Sequence, residues 1–121
     1  MKKKTDPRHK QRIRLIQQLY TWDFRLQLSP HALIKPVIDN LNQIDKLIKR
    51  SAPSWPLEQI NKIDLAILRL ATFELIIKKG VPYKVVVDEA VELAKEFGSE
   101  SSPAFINGAL GKTIELADLD K

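Results

Sequence analysis

No cysteine occurs among the 121 residues, which excludes disulfides and thiolate metal sites. Histidine is almost as scarce, at His9 and His31 only, and no histidine–carboxylate set has metal-ligand spacing. The four glycines fall at expected helix ends or within the last helix, so no glycine-rich loop follows a strand to cradle a phosphate. No apolar run approaches the ~18 residues that suggest a membrane span. The start is basic but lacks the apolar segment of a signal peptide. Asp88 and Glu89 are adjacent, so on a helix they point about 100° apart and cannot clasp a substrate between them. These absences remove the usual routes to catalysis. The expectation is a cytoplasmic protein, not an enzyme, with no cofactor and no metal.

What is present reads as one domain with a charged extension. Apolar residues make up 44% and charged residues 29%, which suits a globular chain rather than a disordered one. Residues 1–14 hold Lys2, Lys3, Lys4, Arg8, Lys10, Arg12 and Arg14 against Asp6 alone. The whole chain carries only +5, so the remainder is close to neutral. The expected organisation is a basic arm over residues 1–6 and an all-helical domain over 7–121. A cationic end on a neutral globule suggests nucleic acid or an anionic surface; a solubilising tail is the alternative.

Helical signals fill the chain. Asp6-Pro7 reads as a cap and first residue, opening a helix that runs to about Leu26. Ile13, Ile16, Tyr20 and Phe24 share one stripe of it, and Leu15, Leu19, Trp22 and Leu26 another. Ser29-Pro30 is a second start signal, and Pro36 restarts or kinks the helix. Ile34, Val37, Leu41, Ile44 and Ile48 then form a one-sided seam, and residues 51–56 (SAPSWP) a break. The segment from Lys62 to Lys79 is apolar nearly all round and predicts a central helix ended by Gly80. Arg69 and Glu74 stand out against this apolar background; both are expected in a satisfied buried network. Glu89 is expected to brace a neighbouring segment. Pro82 suits a first helical position, Gly98 a left-handed helix end, and Ser102-Pro103 a further start. No segment reads as a strand.

The first helix combines cations with an aromatic. Arg8, Lys10 and Arg12 crowd a helix start, where cations are unfavourable by ~0.3–1 kcal/mol each. Removing them is expected to leave stability unchanged or slightly raised. A bound phosphate there would reverse the sign. Tyr20, two to three turns along, is placed either to stack a base or to pack in the core. Periodicity favours the core, because Ile13, Ile16 and Phe24 share its stripe.

Three stretches together resemble the NusB family of transcription antitermination factors. They are RHKQRIRLIQQLYTW (8–22), IDLAILRLATFEL (63–75) and above all VPYKVVVDEAVELAKEFGSESSPAFINGALG (81–111). The similarity extends from residue 7 to about 116, and is weak and shortened between Leu26 and Ser54. Asp88 stands where Asn is common, and Gly111 where Asp is common. The resemblance implies an all-α fold, a single helical domain of two packed helical subdomains. It implies binding to the boxA element of nascent ribosomal RNA together with the NusE ribosomal protein, within an RNA-polymerase antitermination complex. Some members self-associate through the RNA-facing surface, so a homodimer is also implied as possible. Carried over by residue, it implies RNA contacts from Arg8, His9, Lys10, Arg12, Tyr20, Ser101 and Phe105, position 101 being often acidic in the family. It places Asp64 on the side facing the ribosomal protein. An RNA-binding module for ribosome maturation, a former appendage of a ribosomal-RNA methyltransferase and a purely protein-binding helical scaffold are the alternatives.

Overall fold

The structure, a computed structural model, describes residues 6–25 and 30–120. Most of the basic arm, the expected helix end at Leu26 and the Ser29 start signal lie outside the described residues. Among those described, every regular element is helical.

Helix α1 spans Pro7–Phe24; Asp6 caps it by accepting the Arg8 N–H at 2.9 Å, with Pro7 at the first position. A tight turn over Ala32–Ile34 leads into the short α2, Lys35–Asp39, and then α3, Leu41–Ser51. Pro36 does restart the helix. Of the predicted seam, Ile34, Val37, Ile44 and Ile48 are buried. A second tight turn, Leu57–Gln59, precedes α4, Lys62–Phe73, whose Asn61 cap accepts the Ile63 N–H. All nine residues from Asp64 to Thr72 are buried, as the all-round apolar pattern predicted. The helix then widens into a π turn, Glu74–Lys78, and stops at Lys79 and Gly80, both at positive φ (57° and 90°). Gly80 therefore ends it as expected, with Lys79 already in the left-handed region. Helix α5 spans Tyr83–Phe97 and α6 spans Ser102–Leu116. Pro82 is the residue before α5 rather than its first, and Ser101, not Ser102, stands at the cap position of α6, without a side-chain capping bond.

Helix α4 is the axle. It packs against α1, α2 and α3 from the N-terminal half and against α5 and α6 from the C-terminal half. A single continuous core joins the halves, built around Ile16, Ile44, Ile67, Leu68, Leu93, Ile106 and Leu110. Arg69 holds the junction, as the buried-network reading required. Its guanidinium takes both oxygens of Asp45 on α3 at 3.0 Å and donates to Asp23 on α1 at 3.2 Å.

Gly98 corrects one expectation. Its φ is −91°, so it does not supply a left-handed helix end. It supplies space. A β-carbon there would lie 2.5 Å from the Cβ and Oγ of Ser102 and 2.8 Å from the carbonyl of Ala94. Ser102 Oγ accepts the Ser99 N–H and is fully buried, so it has nowhere to retreat. Gly98→Ala should cost about 1–3 kcal/mol through overpacking, read as a lower urea midpoint at unchanged slope. A midpoint equal to that of the parent protein would mean that the α5–α6 turn yields freely.

Candidate nucleic-acid interface

The start of α1 sorts its side chains into two populations. His9 and Arg12 are buried, at 2% and 8% exposure. Arg12 donates through Nε and Nη2 to the two oxygens of Glu74, at 2.8 and 2.7 Å, and lies 3.7 Å from Glu89. His9 contacts Glu89 through Nδ1 at 3.0 Å and Glu96 through Nε2. Both side chains thus face carboxylates on α5 and the π turn. Two of the side chains expected at an RNA surface are committed inside the molecule. Glu74 and Glu89 receive the satisfied, bracing roles expected of them. Arg8 and Lys10 point outward, with the Arg8 side chain 84% exposed. The expectation that removing all three basic residues would leave stability unchanged does not hold for Arg12, because its loss would strand Glu74.

The signal for this inward turn was present in the sequence. Ile16 and Leu19 are the apolar anchors of α1. Arg12 lies four residues before Ile16 and His9 seven, and helical geometry puts both within about 40° of it. The charge of the segment drew attention to solvent; its period pointed to the core.

His9 makes stability depend on pH. The hydrogen bond to Glu89 raises its pKa above the ordinary 6.5, against the opposing effect of burial and with help from Glu96. A raised folded value means that the protonated form is favoured in the fold. The contribution is fully present below 6.5 and is lost as pH rises through the folded value. Urea denaturation over a rising pH series should show this loss in the parent protein and its absence in His9→Gln. Parallel curves for the two proteins would dismiss it.

Tyr20 and Phe24 reverse the periodicity reading. Each step of four residues overshoots a full turn by about 40°, so they stand roughly 40° and 80° away from Ile16, at the edge of the buried face. Both are exposed, with rings 5.0 Å apart and edge to face. Lys62 Nζ sits 5.7 Å from the Phe24 ring centre and pairs with Asp23 at 2.8 Å. Beside them opens a recess of about 480 Å³ lined by Gln17, Tyr20, Thr21, Lys62 and Phe97 among others. A second groove, of about 330 Å³, is lined by Trp55, Gln59, Asp64, Ser101 and Phe105 among others. Asn61 lines both, so the two adjoin. The structure therefore brings Ser101, Phe105 and Asp64 together in one groove, next to the recess that holds Tyr20. Asp64 is buried and its Oδ1 has no hydrogen-bond partner among the described residues. Burial pushes its carboxyl pKa up, the Ser102 hydroxyl acting in the opposite direction. Trp55, Lys62 and Phe97 were not singled out as site residues. An exposed tryptophan between two prolines was the available cue for the first.

The model of the NusB family matches residues 25–115. The chain belongs to the NusB family. Transcription antitermination protein NusB of Alkaliphilus oremlandii is 48% identical over 89 residues, 74% of this chain and 64% of that protein. The protein of the same name from Clostridium botulinum is 46% identical over 82 residues, 68% of this chain and 57% of that protein. The chain thus spans less than two thirds of the curated relatives it matches. A solved structure of T. maritima NusB superposes with a TM-score of 0.84 at 31% identity, covering 95% of this chain and 93% of that one. A chain from the crystal structure of a plectonemic RNA supercoil shares the fold, with a TM-score of 0.80 at 20% identity. The all-α NusB fold is therefore established, and the curated relatives carry the name of transcription antitermination proteins. Residues 8–20 precede the stretch matched by the family model, although the structural match covers nearly the whole chain. No described helix is long and apolar enough to cross a membrane.

Proposed function

We propose that this protein is a non-catalytic, cytoplasmic RNA-binding transcription antitermination factor. It binds a single-stranded boxA-like element of nascent ribosomal RNA together with a NusE-type ribosomal protein, within an RNA-polymerase complex. Family membership supports the antitermination role. The observation that carries RNA binding is the arrangement on α1: Arg8 and Lys10 exposed at a helix start, and Tyr20 exposed farther along the same helix beside an open recess. Basic side chains and a helix N-terminus suit phosphates, and an exposed ring suits an unstacked base. Ser101 and Phe105 extend the surface into the second groove. His9 and Arg12 serve it from within, by fixing the helix that presents the exposed pair.

The test is a salt titration of single-stranded RNA binding. Each phosphate contact removed should lower the log–log slope by ~0.7, so Arg8→Ala with Lys10→Ala should flatten it by about 1.4. Because both side chains are exposed, stability should hold within ~0.5 kcal/mol. A slope unchanged from that of the parent protein would refute the proposed contacts.

A further inference from the structure

We propose that the groove between Trp55 and Phe105 is a nucleobase pocket, in which the Trp55 indole stacks on a base and the Asp64 carboxylate accepts a hydrogen bond from its amino edge. This rests on the RNA reading above and extends it to residues given no such role there. Trp55 is 51% exposed, an unusual position for so large an apolar surface. Its ring meets that of Phe105 at 80° with centres 6.5 Å apart. A perpendicular pair leaves each ring at least one face uncommitted to the other, and a base needs such a face. On the same groove, Asp64 is 6% exposed, and its Oδ1 has no hydrogen-bond partner among the described residues. A buried carboxylate oxygen left without a donor is unfavourable, and a donor brought by a ligand removes that cost.

The chemistry of the groove selects the ligand. A phosphate is repelled by Asp64, so it is the base that enters, with the backbone outside. Cytosine and adenine carry exocyclic amino donors, and uracil carries none. Asn61 contributes its side-chain oxygen to the start of α4 and lines both recesses, so a strand that stacks on Tyr20 continues directly to Trp55. This gives Asp64 a role different from the protein-partner contact that the family resemblance implied.

Trp22→Phe leaves Trp55 as the single tryptophan and its emission as the probe. Oligocytidylate, oligoadenylate and oligouridylate of one length are titrated into that protein. The expected result is quenching by the first two at lower concentration than by the third. Trp55→Ala should lose roughly 5- to 150-fold in affinity for oligocytidylate, and Trp55→Phe clearly less. Asp64→Asn should narrow the preference for cytidylate over uridylate, with thermal unfolding confirming that the variant folds. Binding that leaves both the Trp55 emission and the Trp55→Ala affinity unchanged overturns the pocket while sparing the RNA reading. Equal affinity for all three oligomers overturns the role of Asp64. Quenching by a NusE-type protein alone, with none by RNA, gives the groove to a protein side chain and likewise overturns the proposal. Failure of every oligomer to bind the parent protein would overturn the RNA reading itself.

Discussion

Arg12→Ala should lower the unfolding free energy by about 3–5 kcal/mol, because it breaks a buried ion pair. The loss comes less from the missing bonds than from what they leave behind. Glu74 is buried on the π turn, and both of its oxygens are held by the Arg12 guanidinium. Without Arg12 a buried carboxylate must be neutralised, hydrated or exposed, and each alternative disturbs the packing of α1 on α4. The expected drop in Tm is on the order of 10–20 °C for a domain of this size. Arg12→Lys should recover part of the loss, since an ammonium keeps the charge but not the two-pronged geometry. Arg8→Ala, only four residues away, should be near neutral or slightly stabilising, because an exposed cation leaves a helix start. Equal midpoints for Arg12→Ala and Arg8→Ala would show that the internal pair contributes nothing.

Tyr20→Ala should behave in the opposite way. Its ring is exposed, so its removal should change Tm little, while RNA affinity falls by ~1–3 kcal/mol. Anisotropy of a labelled single-stranded RNA and thermal unfolding of the same sample separate the two readouts. A variant that unfolds early yet binds normally would mean that the Tyr20–Phe24 pair serves α1 rather than a ligand. Together the two substitutions cross: one residue read from sequence as an RNA contact should act mainly on stability, and one read from periodicity as core should act mainly on binding.

That crossing shows where local reading succeeds and where it stops. Helix limits were legible because their causes are local. Asp6-Pro7 and Pro36 act within a turn of where they stand, and the all-round apolar run of α4 needs no knowledge of its neighbours to be recognised as central. Glu74 and Arg69 were legible as members of some buried network, since a charge on an apolar stripe must be satisfied. Their partners were not legible. Arg12 meets Glu74 across 62 positions of sequence, and Arg69 meets Asp45 across 24, distances over which no helical period carries information. Gly98 was legible as a required glycine but for the wrong reason, because the obstacle is a serine on the next helix rather than its own backbone angle. Within the candidate site, Tyr20, Ser101 and Phe105 came from family resemblance. Trp55 and the company it keeps with Asp64 came only from the three-dimensional arrangement.

The ion pairs beneath α1 also act as an index mark. Apolar surfaces are forgiving: a helix seated on them by Ile16 and Leu19 alone can turn on its axis or slip by a residue at modest cost. A guanidinium locked to both oxygens of one carboxylate has a single seat. By fixing the rotation of α1, Arg12 and His9 also decide which way the alternate residues Arg8 and Lys10 look, and where Tyr20 meets its recess. The charges hidden inside thus aim the charges left outside.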